Sequence, residues 1–506
     1  MNEPEGPPSL SVRTATAASW ILSWRMTTRL LGLVNTIVLV RLLTPADFGL
    51  IALAVSLAQI VESLSSMGVS DALMREKKAD RELYSTGFTI NLIRGLLIAA
   101  VIAAEAAPIA IFFEDVRLES ILFVLAAMML LASLENVGMV EFRRNLSFEK
   151  DFQMAVVPRL LAIVVSIGCA LVFRNYWALV AGILTNRILR VAMSYWLHPF
   201  RPSLTLRAWR RVAGFSFWNW MNVVVTTVRD RIDTVVIGRV YGSASVGLYS
   251  VGYEIGTLLA TELVEPVSSA LYAGFSAGQR GGSDVSKGYF RAVCATFLVT
   301  LPLGAGLAIL ASPVIYLLFG EKWMLAVPLV QVFAVAYMLR VITYFSVGVL
   351  NALGMIKITF RILLLSVIVR ATLLAAMVVP FGLLGAAYAA AVSIAVEETC
   401  FMIFTFRRLG LKYADLVRGT CRCVIATAAM ATVLMWFGAG SSAVTSGPLA
   451  ALWDVLTAVL LGATTYCSTT LGLWAAAGRP SGAETAFLSV CGNTLRHFTR
   501  RWNATT

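Results

Sequence analysis

Along this chain apolar residues gather into runs of about twenty, the length a helix needs to cross the ~30 Å hydrocarbon layer of a bilayer. The runs fall near 17–40, 47–69, 85–107, 118–139, 155–173, 176–197, 212–237, 246–272, 292–318, 325–350, 359–380, 383–406, 417–437 and 448–475, with short polar segments between them. The pattern predicts an all-α polytopic membrane protein of about fourteen transmembrane helices. With 58% apolar and 14% charged residues, it is not the composition of a soluble enzyme.

The opening stretch MNEPEGPPSL is acidic and proline-rich. It lacks the basic region that begins a signal peptide, so the first run is expected to stay in the mature chain. Lysine and arginine then set the orientation. The even-numbered loops hold twenty-one of them and the odd-numbered loops five. By the positive-inside rule both termini and the even loops are expected in the cytoplasm. The net charge of +13 follows from that asymmetry, and a nucleic-acid partner is not needed to explain it.

The chain also repeats itself. A shift of 198 residues lays Trp20 on Trp218, Thr28 on Thr226, Thr36 on Thr234, Val38 on Val236, Arg41 on Arg239, Ala46 on Ala244, Gly49 on Gly247 and Leu50 on Leu248. An offset of six helices keeps both copies in the same sense across the membrane. The expected organisation is two pseudo-symmetric six-helix lobes around a substrate path, plus two C-terminal helices. In residue terms it is a cytoplasmic tail 1–16, an N-lobe 17–200, a C-lobe 201–410, two further helices in 411–478 and a basic cytoplasmic tail 479–506. Phe487, Leu488, Leu495, Phe498 and Trp502 recur at helical spacing with Arg496, Arg500 and Arg501 between them. That is the pattern of an amphipathic helix on the inner leaflet, and equally of a frayed basic tail.

The spans hold ten arginines: Arg25, Arg29, Arg94, Arg159, Arg187, Arg190, Arg229, Arg231, Arg340 and Arg370. A charge at the bilayer centre costs at least ~2.5–3.5 kcal/mol, so such residues face a bundle interior or a wet cavity. Guanidinium grips phosphate in a two-pronged fork, where ammonium is a point charge. The reading is a transporter for a large anionic, phosphate-bearing substrate. Arg25, Arg29, Arg94, Arg340 and Arg370 are the candidate cavity contacts. Arg187 and Arg190 suit snorkelling, and Arg229 with Asp233 suits a structural pair four residues apart. Glu62, Glu254, Glu262, Glu265, Glu397 and Glu398 are the embedded carboxylates, candidates for coupling to Na⁺ or H⁺ or for neutralising arginines. Trp20, Trp24, Trp218 and Trp220 cluster on the lead helix of each lobe and suit either sugar stacking or interface anchoring. The cysteines have no zinc-site spacing, and no P-loop or HExxH motif is present. No metal or cofactor is expected.

The stretch RLLTPADFGLIALA, Arg41 to Ala54, closes the first helix and opens the second, and MREKKADRELYSTGF, Met74 to Phe88, follows it. Both resemble the polysaccharide transporters of the MOP superfamily, the Wzx-type oligosaccharide flippases, and within them the exopolysaccharide exporters of the ExoT and WzxC type. The resemblance implies a MATE-like fold and movement of an undecaprenyl-diphosphate-linked oligosaccharide from the inner to the outer leaflet of the bacterial cytoplasmic membrane. It also implies membrane lipids, a polysaccharide polymerase and a chain-length regulator as partners. A lipid II flippase is the alternative, and a MATE-type cation antiporter fits less well because ten intramembrane arginines oppose it. Physically, the hallmark is a tight turn in which Pro45 fixes φ, Asp47 caps the second helix and Gly49 permits close packing. Arg41, Pro45, Asp47 and Gly49, with Arg239 and Gly247 of the matching turn, are the candidate gate residues. Intramembrane acyltransferase chemistry uses a histidine, and the two here, His198 and His497, fall outside the spans; an enzyme is not expected.

Overall fold

The computed structural model describes residues 10–65, 69, 73–74, 80–144, 148–212, 217–280, 285–440, 447–480 and 484–485. The side chains of Trp20, Trp24, Arg25 and Glu265 and the predicted amphipathic segment 487–502 lie outside the described residues.

Described residues form helices joined by short turns, without strands. In the first half α1 is Leu10–Leu42, α2 Pro45–Leu64, α3 Arg81–Phe112, α4 Arg117–Ser133, α5 Phe148–Phe173 and α6 Trp177–Leu197. The helical run Phe217–Arg280 breaks at Gly242 (φ 75°, ψ −179°) into α7, residues 217–241, and α8, residues 243–280. That φ favours glycine. Next come α9 (Val285–Ile309), α10 (Ala311–Phe319), α11 (Val327–Met338) and α12 (Val341–Ala352). Ile356–Leu409 breaks at Gly382 (φ 61°) into α13, residues 356–381, and α14, residues 383–409. α15 is Tyr413–Trp436 and α16 Pro448–Ala476.

Every predicted run has its helix. Two differ in continuity: the ninth runs through α9 into α10, and the tenth is broken into α11 and α12 at Leu339–Arg340. Among the described residues, eight helical stretches are long and apolar enough by length and composition alone to cross a membrane. The run containing α7, interrupted by Arg229, Asp230, Arg231 and Asp233, is not one of them.

The chain divides into two compact units, residues 1–247 and 248–506. The division falls within α8, five residues after the break at Gly242, and α7 packs lengthwise on α2. In the first unit α3 lies on α4, α5 on α6 and α1 on α5. Small residues let the backbones approach: Gly95 faces Ser133 across α3 and α4, and Gly182 faces Ser166 across α5 and α6. The connection from α6 to α7 is strapped along α3. Amides of Ser203, Thr205 and Ala208 donate to the hydroxyls of Ser85, Thr89 and Thr86 at 3.4, 3.0 and 3.3 Å. Those hydroxyls satisfy backbone groups that no helix or sheet serves.

In the second unit α9 packs on α11 and α15 around a core of Tyr289, Val293, Phe297, Phe345 and Phe406. On α16, Leu449, Leu452, Leu456, Val459 and Leu460 are exposed, the surface of a helix that meets lipid. An apolar cavity of about 570 Å³ lies between α9, α15 and α16. Glu484 is among its lining residues and is held by Arg422 in a two-pronged contact at 2.6 and 3.1 Å.

Candidate functional site

The hallmark turn is a capping box. Thr44 is the N-cap of α2, accepting from the Asp47 amide at 3.3 Å, while Asp47 Oδ2 accepts from the Thr44 amide at 3.1 Å and from its hydroxyl at 2.6 Å. Asp47 therefore caps α2 from the third helical position, with Pro45 in the first turn, where its missing N–H is no loss. Its other oxygen, Oδ1, accepts from the Tyr176 amide at 3.1 Å and ties the turn to the start of α6.

The matching turn lies directly against it. α8 begins at residue 243 and α2 at 45, the same 198-residue offset as the repeat. A Cβ on Gly49 would collide with the Ser243 carbonyl oxygen, and one on Gly247 with the Pro45 carbonyl oxygen while standing 3.1 Å from the Gly49 nitrogen. Around this contact Arg239 pairs with Glu114 at 3.0 Å and lies over the Phe112 ring. Arg117, paired with Asp115 at 2.7 Å, reaches the Ser243 hydroxyl at 3.4 Å. Arg41, at the end of α1, is exposed.

From that contact α7 runs antiparallel along α2. A Cβ on Gly238 would stand 2.9 Å from Leu53 Cδ1. At the other end the Trp220 indole N–H donates to the Leu64 carbonyl at 3.1 Å. Between these two points the helices leave a cavity of about 290 Å³, lined by Gln59, Glu62 and Ser63 of α2, Arg94 of α3, and Val223, Thr227, Asp230 and Arg231 of α7. Its neighbour Arg229 is 5% exposed and donates through Nε to Asp230 Oδ1 at 2.9 Å, and Asp233 is 2% exposed. The Nε of Arg94 is buried with no hydrogen-bond partner among the described residues.

Sequence reasoning singled out Glu62 and Arg94 as candidates, and they share this wall. It passed over Gln59, Ser63 and Thr227, because single uncharged polar residues in an apolar run carry little signal. Spacing was the available clue. Residues 59, 62 and 63 stripe one face of α2, and 223, 227, 230 and 231 stripe one face of α7. Arg29 is exposed on α1. Arg159 lies against Gly32 of α1. Arg190 pairs with Glu135 at 3.2 Å beside a separate cavity of about 310 Å³ that also includes Asn91 and Asp151.

A second polar cluster is buried inside the second unit. Arg340 stands at the break between α11 and α12, 6% exposed, with Nη2 3.5 Å from Glu397 Oε1 and its guanidinium over the Tyr337 ring. Glu397 Oε2 accepts from the Ser366 hydroxyl at 2.8 Å, and Glu398 Oε2 from the Thr343 amide at 2.9 Å. Glu398 Oε1 has no partner among the described residues. The Tyr253 and Tyr337 hydroxyls are 2.8 Å apart, which extends the cluster to α8. Arg370 of α13 is 1% exposed. Arg340 has no carboxylate in its own predicted span; α14 supplies one. Glu254 and Glu262 of α8 are half-buried, the latter within 3.5 Å of the Thr261 hydroxyl.

Comparison with known proteins gives these arrangements a context. The succinoglycan biosynthesis transport protein ExoT of Rhizobium meliloti (strain 1021) is 24% identical over 335 residues, 65% of this chain and 67% of the relative. The lipopolysaccharide biosynthesis protein WzxC of Escherichia coli (strain K12) is 20% identical over 361 residues, 70% of this chain and 73% of the relative. Among solved structures, the lipid II flippase MurJ in an inward closed conformation superimposes with a TM-score of 0.73, at 15% identity, over 91% of this chain and 100% of that one. The fold is that of the MOP-superfamily transporters, and the protein is a multi-pass membrane protein. A family model described as "Polysaccharide biosynthesis protein" matches residues 38–328, more than half the chain, and the chain belongs to that family.

Proposed function

We propose that this protein is a flippase that moves an undecaprenyl-diphosphate-linked oligosaccharide repeat unit from the inner to the outer leaflet of the bacterial cytoplasmic membrane for exopolysaccharide assembly. The observation that carries the reading is the charged cavity between α2, α3 and α7, in helices whose outer surfaces are apolar. Charged groups at that depth are expensive unless they meet one another or a polar cargo. The cavity lies toward the Leu64 end of α2, away from the contact of Gly49 with Gly247. With the termini in the cytoplasm, as the loop charges indicate, the cavity belongs to the cytoplasmic half and the two glycine turns close the external side. Alternating access then amounts to separating Gly49 from Gly247 while the cytoplasmic entrance closes.

In this scheme Arg94 and Arg231 contact the cargo, and Arg25 and Arg29 of the first helix are further candidate contacts. Arg340, Arg370, Glu397 and Glu398 form the coupling cluster, where a buried carboxylate takes up H⁺ or Na⁺ as the unit changes shape. A polymerase and a chain-length regulator receive the product. Lipid II is the competing cargo, but the likeness to MurJ is one of fold, and the sequence relatives are named for succinoglycan biosynthesis transport and lipopolysaccharide biosynthesis. The test is a clean deletion. It should stop export of one polysaccharide and leave its lipid-linked repeat unit in the inner leaflet, restored by the wild-type gene. Normal secretion in the deletion strain, with no second homologue present, would refute the assignment.

A further inference from the structure

The α2–α3–α7 cavity carries charges of both signs. It holds two guanidiniums, Arg94 and Arg231, and two carboxylates, Glu62 and Asp230, and the adjoining Arg229 is set against Asp230 at 2.9 Å. The hydroxyls add to the acceptor side. Ser63 Oγ donates its proton to the Ile60 carbonyl at 2.7 Å, and Thr227 Oγ1 donates to the Val223 carbonyl at 2.9 Å. Both therefore show the cavity lone pairs rather than protons. Four acceptor groups, Glu62, Asp230, Ser63 and Thr227, thus face a volume of about 290 Å³ that also contains the amide of Gln59.

A diphosphate is all acceptor and anionic. It would be repelled by Glu62 and would offer no proton to the Glu62, Ser63 and Thr227 oxygens, each a desolvation penalty. A sugar ring fits. Its hydroxyls donate to the carboxylates and side-chain oxygens and accept from the guanidiniums and the amide. An aromatic ring stands one helical turn beyond the cavity lining. Trp220 lies one turn from Val223 on the face that carries Val223, Thr227 and Arg231, and its ring is held by the bond to the Leu64 carbonyl and by Phe217, 5.8 Å away. Such a face packs against the apolar C–H side of a pyranose.

We propose that this cavity is the glycan subsite: it reads the hydroxyls of the oligosaccharide, with Trp220 as stacking platform, and the diphosphate binds outside it. The inference rests on the flippase reading. It assigns Glu62, with the Ser63 and Thr227 oxygens, as acceptor for sugar hydroxyls, while Asp230 stays paired with Arg229.

The experiment uses purified full-length protein in detergent and three probes: the intact lipid-linked unit, the free repeat-unit oligosaccharide cut from the host's polymer, and farnesyl diphosphate. Saturation-transfer NMR reports binding and which sugar protons touch protein. The free oligosaccharide should bind the wild type, with strongest transfer to one face of a ring. Glu62→Gln and Thr227→Val should weaken it roughly threefold to tenfold each, the value of one lost hydrogen bond. Trp220→Leu should remove the face-selective transfer. Farnesyl diphosphate should bind all of these variants like the wild type, which also shows them to be folded, and should not displace the oligosaccharide. Displacement by farnesyl diphosphate, or unchanged oligosaccharide affinity in the Glu62 and Thr227 variants, overturns the subsite. Wild type that binds the intact unit but not the free oligosaccharide overturns it too and leaves the flippase reading standing. Wild type that binds none of the three overturns both.

Discussion

Gly49 and Gly247, 198 residues apart in sequence, meet backbone to backbone: a Cβ on Gly247 would stand 3.1 Å from the Gly49 nitrogen. Each is the fifth residue after a helix break, and neither position has room for a methyl group. The contact joins the Pro45 end of α2 to the start of α8.

Alanine at either position should therefore force the turns apart. Gly49→Ala and Gly247→Ala are each expected to destabilise this arrangement by about 1–3 kcal/mol, the usual cost of overpacking. A cysteine at Ser243 should then react faster with a membrane-impermeant thiol reagent in the alanine variants than in the parent. Equal labelling rates would mean that the turns are not a closure.

The buried cluster of the second unit predicts a different phenotype from substrate contact. Removing one partner of a buried ion pair strands the other, at a cost of about 3–5 kcal/mol. Arg340→Ala should lower the amount of folded protein in the membrane, and combining Arg340→Met with Glu397→Gln, which preserves an acceptor for Ser366, should recover much of it. If Arg340→Ala accumulates like wild type and fails only in substrate binding, Arg340 is a cargo contact and the pairing with Glu397 is incidental.

Arg94 is expected to act on binding. A charge-assisted hydrogen bond contributes about 1.5–3 kcal/mol, so Arg94→Ala should weaken affinity for the intact lipid-linked unit about tenfold or more. Arg94→Lys should restore only part, since the charge survives and the fork does not. Full rescue by lysine, measured at equal protein level, would reduce the residue to a topological charge.

At the polar end of α3, Asp80 caps the helix by accepting from the Leu83 amide at 2.9 Å and pairs with Arg211 at 3.1 Å. The Leu83 amide, then the Arg211 guanidinium, hold its carboxyl below the usual carboxylate range. Because the folded value is the lower one, the stabilisation is present above the unfolded carboxylate value of about 4 and is lost as pH falls through the folded value. Melting temperature followed from pH 6 to pH 3 should fall less steeply in Asp80→Asn, since asparagine still caps but does not titrate. Parallel curves would show that the cap carries no charge-dependent stability.

Much of the fold could be read from the sequence, since every predicted run has its helix, and among the described residues eight helical stretches are long and apolar enough to cross a membrane. Breaks were harder to see. Arg340 sits where α11 stops and α12 begins, yet the residues around it, Tyr337 to Phe345, are uniformly apolar apart from Arg340 and Thr343, and periodicity does not register a kink that tertiary hydrogen bonds stabilise. The candidate site was legible in part. Charged residues such as Glu62 and Arg94 announce themselves in an apolar run, whereas Ser63 and Thr227 matter only because α7 folds back along α2. That pairing is a long-range property, foreshadowed in sequence only by the repeat. Arg340 and Glu397 lie in separate spans, so their mutual neutralisation could not be read from either helix alone.

The most direct measurement is leaflet exchange in proteoliposomes. Purified protein is reconstituted with its lipid-linked oligosaccharide, and a membrane-impermeant glycosidase or periodate reports how much of the glycan is exposed outside. The account predicts that wild type carries the enclosed pool to the outer leaflet, while an Arg94→Ala, Arg231→Ala double variant, reconstituted to the same density, leaves it enclosed as in protein-free liposomes. If the double variant exchanges the glycan as fast as wild type, the cavity between α2, α3 and α7 is not the path. If wild type does no better than empty liposomes, the protein is not the flippase.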